Sequence, residues 1–307
     1  MLRLTGKVFG VVAILVVFAT LVFYFTAPVY TLRGIPVLNY HQVNDEKFSP
    51  LTMKTSDFRN QMAYLQEQGY HAITMEELYG YLQNNLPLPS KPVVITFDDG
   101  YVDNYTEAMP ILKEYGMKAT LFMIGDSIGA PGFLSAEQLK EMEASHIFEV
   151  ESHTYSHKDL RKLSSDAVAD EFSHSKTLLE TTLGHPVQYI AYPCGFTNPQ
   201  VDALAQAAGY RLAFTVDTGN VRSGENRFNL DRVPVFEGDN PLLSMQLRLH
   251  YVEIIGGCGH SVTSCSPITI QPCINSATFL SKKKVPHRKP DCFTVKGVPC
   301  LEPSFFV

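Results

Sequence analysis

Basic charge is scarce in this chain of 307 residues: 25 Lys and Arg stand against 31 Asp and Glu, a formal net of −6. Without a long basic block, such a protein is a poor nucleic-acid binder, because phosphate backbones reward clustered cations. Cysteine is nearly missing from the body, where Cys194 is the only one before residue 258. The five later cysteines are spaced 7, 8, 19 and 8 apart. No CxxC pair occurs among them, so a zinc ribbon is excluded. No strand-like run leads into a Gly-rich dinucleotide fingerprint. The HExxH signature of zinc peptidases is absent as well. The body shows neither an internal repeat nor a long linker.

The charge is unevenly spread. From Gly256 onward six Lys and Arg face two acids, leaving −10 for the rest. Periodicity fails in the same stretch, which holds six prolines and the run SKKKVPHRKP. Residues 256–307 are therefore a Cys/Pro-rich tail, expected to be disordered or non-native, with no function assigned. At the other end, residues 8–27 make 20 positions without a charge, the length that spans ~30 Å of hydrocarbon as a helix. Arg3 and Lys7 precede it, which favours residues 1–7 in the cytoplasm and an exported remainder. An uncleaved membrane anchor over 8–27 is the preferred reading. A cleaved signal peptide, with secretion, is the alternative, although its apolar region is usually ~7–15 residues.

Between these ends, residues 28–255 alternate strand-like and helix-like segments. IPVLNYH (35–41), HAITM (71–75), PVVITFDD (92–99), ATLFMIG (119–125), IFEVESH (147–153), VQYIAYP (187–193), LAFTVD (212–217) and VPVF (233–236) read as strands. Helices are expected after Thr55 or Ser56 as N-cap, after the capping-box patterns at Thr74 and Ser135, near 166–183, and from Asn198–Pro199. Strands separated by helices imply a parallel sheet. Eight such units over some 220 residues favour an α/β fold of the irregular (β/α) barrel type. A doubly wound open sheet is the runner-up.

Several polar residues fall at the C-terminal ends of these strands, the rim where parallel barrels build active sites. His41 ends the first strand, and Asp98 and Asp99 end the third. His153 ends FEVESH, with His157 four residues on. Pro193, Cys194 and Gly195 follow YIAY. If HTYSH is a helical turn, His153 and His157 project from one face and can grip one metal. Two surface histidines is the plainer reading. The adjacent acids repel unless they point apart, one on a cation and the other nearby as general base. Turn chemistry explains Asp99-Gly100 but not Asp98.

TFDDGY, the HTxSH-type pair and YPCG, in this order, resemble the polysaccharide deacetylases of carbohydrate esterase family 4, the NodB homology domain. The likeness covers roughly residues 35–240. VLNYHQV, AYP and AFTVDTG are similar to the branch containing biofilm poly-N-acetylglucosamine deacetylases. The resemblance implies a NodB-type deacetylase fold in which Asp99, His153 and His157 bind a divalent metal, usually zinc. It implies Asp98 as the base that deprotonates the attacking water. Cys194 would donate its backbone N–H to the oxyanion. The general acid would be His41, in NYHQV, or His250, in LRLH.

Two departures stand out. The family commonly has Tyr or Phe where Cys194 stands, and many members carry a base-orienting Arg where Ala191 stands. Arg232, in LDRVPV, is the candidate to restore that positive charge. Asn104-Tyr105-Thr106 matches a glycosylation sequon but lies beside the proposed site and is discounted. The expected function is removal of N-acetyl groups from an extracytoplasmic polysaccharide such as poly-N-acetylglucosamine, peptidoglycan or a chitin-like polymer. The alternatives are an O-acetyl esterase acting on xylan and a non-catalytic carbohydrate-binding protein.

Overall fold

The computed structural model describes residues 15–18 and 34–255. The expectations for the anchor over 8–27 and for the tail after 255 lie largely or wholly outside these residues. Among the described residues no helix is long and apolar enough to cross a membrane.

Ten strands alternate with helices in chain order. Strand β1 (Val37–Tyr40) leads to the short β2 (Gln42–Val43) and β3 (Thr52–Met53), then to helix α1 (Thr55–Glu67). Next come β4 (His71–Ala72), α2 (Met75–Asn84), β5 (Pro92–Asp99), a π-helical turn (Asn104–Ala108) and α3 (Met109–Glu114). β6 (Ala119–Met123), α4 (Ala136–Ala144), β7 (Phe148–Ser152) and α5 (Ser165–Leu183) follow. The series ends with β8 (Tyr189–Ala191), α6 (Pro199–Ala207), β9 (Leu212–Thr218), β10 (Leu230–Pro234) and α7 (Pro241–Ile255).

The large sheet is parallel throughout, in the order β1-β10-β9-β8-β7-β6-β5-β4. β1 also pairs with β5, Val37 to Val94 through Tyr40 to Phe97. That second pairing closes the sheet, so the barrel has seven strands and β4 flanks β5 outside the ring. Closure removes the exposed edges that an open sheet would leave.

The period of two along each strand divides the core. Leu38, Ile95, Phe97, Leu121, Val150 and Ile190 pack outward in the larger hydrophobic cluster beneath the helices. Val37, Val94, Phe122, Ala191 and Phe214 share a second cluster on the other face. Asn39, Thr96 and Asp98 lie on the same strand face as Val37 and Val94, so the barrel interior carries a polar column as well as an apolar one. Arg232 is fully buried and is the largest side chain so enclosed.

Local signals account for the helix starts. Thr74 and Ser135 form capping boxes with Glu77 and Gln138. The Asn198 side chain accepts from Gln200 and Val201 N–H ahead of Pro199. Helix α1 departs from expectation: its N-cap is Lys54, with no side-chain cap, and Thr55 is already helical. Asp45 Oδ1, ten residues away, accepts the Thr55 N–H at 3.0 Å. A distant carboxylate thus takes the place of the local cap. Strand β10 also starts earlier than the apolar run VPVF, because Leu230 pairs with Phe214 and Arg232 with Thr218 across a register shift.

Candidate active site

β5 ends on the two acids, and the pleat sends them to different partners. Asp98 points into the barrel, 2% exposed. Arg232 donates to it through two parallel bonds, Nη1 to Oδ1 and Nη2 to Oδ2, each 2.7 Å. Asn39 Nδ2 donates to Oδ2 at 2.9 Å. The rest of the guanidinium is also occupied, with Nε on the Thr215 carbonyl at 2.7 Å and Nη1 on the Thr96 hydroxyl at 3.3 Å. Burial alone would push the Asp98 carboxyl up. The Arg232 charge and its hydrogen bonds, helped by His153 and His41, outweigh burial and hold it well below the usual carboxylate range. Three of the roughly four lone-pair positions of this carboxylate are used, which leaves one acceptor position on Oδ1.

Asp99 turns the other way. Its Oδ1 lies 3.5 Å from His153 Nε2 and 3.6 Å from His157 Nε2. The three ligand atoms fall within 4.8 Å of one another. His153 Nδ1 sits 2.7 Å from the Ala191 carbonyl. A carbonyl can only accept, so Nδ1 carries a proton and donates, which turns the Nε2 edge of the ring toward Asp99. Burial, then the neighbouring His153, lowers the His157 pKa to about 4, so this imidazole is neutral near pH 7. One carboxylate oxygen and two imidazole nitrogens are a donor set that suits a divalent metal. The residues fit the cation that the resemblance implies.

The His153–His157 segment does not form a helical turn. Residues 153–159 are irregular, and Thr154 (φ 65°) and His157 (φ 53°) adopt left-handed backbone. The backbone leaves the helical region at these two residues, and the Thr154 hydroxyl accepts the His157 N–H at 3.2 Å. The two rings still meet, with centroids 4.8 Å apart. Asp99 (φ 76°) and Cys194 (φ 54°) are left-handed too. Of the seven non-glycine residues with positive φ among the described residues, four thus belong to this rim, the pattern of strain held at a working site.

His41 follows β1, where Tyr40 pairs with Phe97, so it stands level with Asp98. Its charge acts on both Asp98 and His157. Asn104 Nδ2 donates to its carbonyl at 2.8 Å. Asn104 is fully buried, which is incompatible with the sequon being used in the folded protein. Cys194 lies in the short turn Pro193–Gly195 after β8, with Gly195 N–H donating to the Tyr192 carbonyl at 2.9 Å. The side chain of His250 lies outside the described residues.

Two contributors went unread in the sequence. Asn39 supports Asp98, and the Tyr101 hydroxyl hydrogen-bonds Asp99, with burial and that carboxylate raising the phenol's pKa. Tyr101 stacks on Phe133 at 5.0 Å. The period-two pattern of VLNY placed Asn39 on an inward face, a usable signal. Tyr101 closes the TFDDGY motif, but nothing in the sequence assigned it a role.

A parallel barrel with a buried, cation-held acid beside an Asp–His–His cluster has the parts of an enzyme that activates water at a bound cation. Comparison with known proteins narrows this. The family model for polysaccharide deacetylases matches residues 85–213. YxkH of Bacillus subtilis, which carries the name of a polysaccharide deacetylase, is 37% identical over 204 residues, covering 66% of this chain and 72% of that protein. The poly-β-1,6-N-acetyl-D-glucosamine N-deacetylase of Escherichia coli K12 is 30% identical over 256 residues, 69% of this chain. This chain spans 38% of that relative's length. The deacetylase PplD of Streptococcus pyogenes, solved in complex with acetate, superposes with a TM-score of 0.66 at 30% identity. That match covers 70% of this chain and 98% of PplD. The chain belongs to the polysaccharide deacetylase family, and it is a deacetylase hydrolase with the NodB-type fold.

Proposed function

We propose that this chain removes N-acetyl groups from N-acetylhexosamine units of an extracytoplasmic polysaccharide, with poly-N-acetylglucosamine the first candidate, releasing acetate. The cation would be divalent, usually zinc in this family, held by Asp99, His153 and His157. Residues 8–27 would tether the enzyme to the membrane with residues 28–255 as its extracytoplasmic catalytic domain. The name of the Escherichia coli relative supports the polymer, and the charge-free run supports the tether.

The observation that carries the reading is the pair of acids in divided service, Asp98 on Arg232 and Asp99 between two imidazoles. When bound, the cation supplies Lewis acidity, which acidifies water and polarises a carbonyl. The chain's own groups do the rest. Asp98 keeps its carboxylate ionised and aimed, with the open position on Oδ1 accepting the proton of the attacking water. His157 stays neutral, and the Ala191 carbonyl fixes the His153 ring. The Cys194 backbone N–H donates to the oxyanion. His41, at the same level of the barrel, hands a proton to the departing amine.

The test is acetate release from a panel of N-acetylated glycan oligomers, with acetylated xylan alongside, before and after chelation. Release from the N-acetylated oligomers that stops on chelation and returns with metal is expected. No release from any N-acetylated glycan by metal-loaded protein, or release indifferent to chelation, would overturn the proposal.

A further inference from the structure

The two histidines of the proposed metal site are fixed by different means. His153 follows β7 directly, and its Nδ1 lies 2.7 Å from the Ala191 carbonyl. That contact sets the ring, as the second partner of a metal-binding histidine usually does. His157 has no such bond. Its Nδ1 is shielded from solvent and has no hydrogen-bond partner among the described residues. Its aim therefore depends on the backbone that carries it, which is left-handed at Thr154 and His157 and belongs to no helix or strand.

This loop is held from two sides. After β6, the Gly125 N–H donates to the Thr154 carbonyl at 3.0 Å and the Asp126 N–H to the Tyr155 carbonyl at 2.8 Å. A Cβ on Gly125 would come within 3.1 Å of the Tyr155 ring, so glycine permits the approach. On the other side α5 turns Glu171 and His174, three positions apart, toward the loop. The His174 ring meets Tyr155 edge to face, with centroids 5.7 Å apart. Glu171 is buried. Its Oε2 accepts the Ser156 N–H at 2.7 Å, and its Oε1 accepts the Ser156 hydroxyl. Lys158 Nζ reaches the same Oε1 at 3.4 Å. Ser156 and Lys158 flank His157 in the chain, so one carboxylate grips both neighbours of the ligand. Hydrogen bonds to an ionised acceptor are roughly twice as strong as neutral ones.

We propose that Glu171 is a positioning residue for the metal: through Ser156 and Lys158 it holds the loop in the conformation that points His157 at Asp99 and His153. The inference rests on the reading of Asp99, His153 and His157 as a metal site. Glu171 takes no part in proton transfer. It replaces, through the backbone, the ring contact that His157 lacks and His153 has. Its loss is therefore read as weaker metal binding and altered ligand geometry.

Zinc affinity of the full chain, measured by competition with a chromogenic chelator, tests this, together with the visible spectrum of the cobalt-loaded protein. Glu171→Leu keeps the bulk of the side chain and the helix but removes both acceptors. Losing a partner that orients a metal ligand costs about 10–100-fold in affinity, so zinc should bind weaker by about that factor and the cobalt spectrum should change. Glu171→Gln keeps a carbonyl oxygen for the Ser156 N–H and an amide that can donate to the Ser156 hydroxyl, so it should recover most of the affinity. Ser156→Ala removes one bond without touching α5, and should weaken zinc binding about two- to tenfold, the equivalent of a single hydrogen bond. Phe172→Leu, in the core on the same helix, lowers stability and should leave zinc affinity unchanged. Unchanged affinity in Ser156→Ala or in folded Glu171→Leu, or an equal loss in Phe172→Leu, overturns the positioning role. A wild-type chain that binds neither zinc nor cobalt overturns the metal-site reading instead.

Discussion

Arg232 and Asp98, 134 residues apart in the chain, form a bidentate ion pair inside the barrel, with both contacts at 2.7 Å and both side chains shielded from solvent. Removing one member of a buried pair strands the other charge, at a cost of about 3–5 kcal/mol. Arg232→Met should therefore lower stability by about that amount, read by denaturant unfolding. Adding Asp98→Asn to it should recover part of the loss, since the stranded carboxylate is then neutral. Full additivity of the two changes would mean that the pair does not act as a unit.

Asp98→Asn alone leaves the Arg232 charge without its partner and so costs stability, but in the protein that remains folded it probes chemistry. The amide keeps the shape and can still accept from Arg232, but it cannot take a proton from water. A positioned base contributes typically 10²–10⁴-fold, so turnover should fall by at least about a hundredfold. Metal content, measured by elemental analysis, should stay near the wild-type value because Asp99 and the two histidines are untouched. Retained turnover would assign the proton transfer to another group.

Much of this site could be read from the sequence because parallel strands end where their apolar runs end. PVVITF stops at Asp98, FEVES at His153 and YIA before Pro193, and those stops are the barrel rim. Pairings made by closure were less legible. Arg232 was suspected only because Ala191 stands where a positive charge is common in the family. Its reach across the barrel depends on β1 bridging β5 and β10, which no local pattern encodes. The HTYSH pair met for a reason other than its spacing, a left-handed turn stitched by the Thr154 hydroxyl. Likewise, Thr55 looked like a cap because the carboxylate that relieves its N–H, Asp45, comes from a separate loop.

Gly100 follows the acid pair with φ 92°, and a Cβ there would lie 2.0 Å from Met123 Sδ. Gly100→Ala meets both a left-handed backbone and the end of the flexible Met123 side chain, which must shift to make room. Strain of this kind costs about 1–3 kcal/mol before the clash is counted. Unfolding should show a loss within that range, with weaker metal retention because Asp99 is the adjoining residue. Met123→Ala removes the collision but not the φ strain, so the double variant should be less strained than Gly100→Ala by the clash alone.

Glu149 offers a pH-dependent test away from the reaction. Its Oε1 accepts the Met75 N–H at the start of α2 and the Thr120 hydroxyl, both at 2.6 Å. Burial raises its pKa to about 6 against those two lowering bonds. For an acid, a raised folded-state pKa means that the folded protein holds more protons than the unfolded chain between about pH 4.5 and 6. Stability therefore falls as pH rises through that window and stays reduced above it. Glu149→Gln keeps both acceptor bonds on one oxygen and has no charge to bury. It should be indifferent at pH 4 and more stable than the parent by about 1–2 kcal/mol at pH 7.5, from ~1.4 kcal/mol per pKa unit. The difference in unfolding free energy between the two proteins, followed across pH 4–8, should rise and level off near pH 6–7. A flat difference would mean that the carboxylate remains solvated in the folded state.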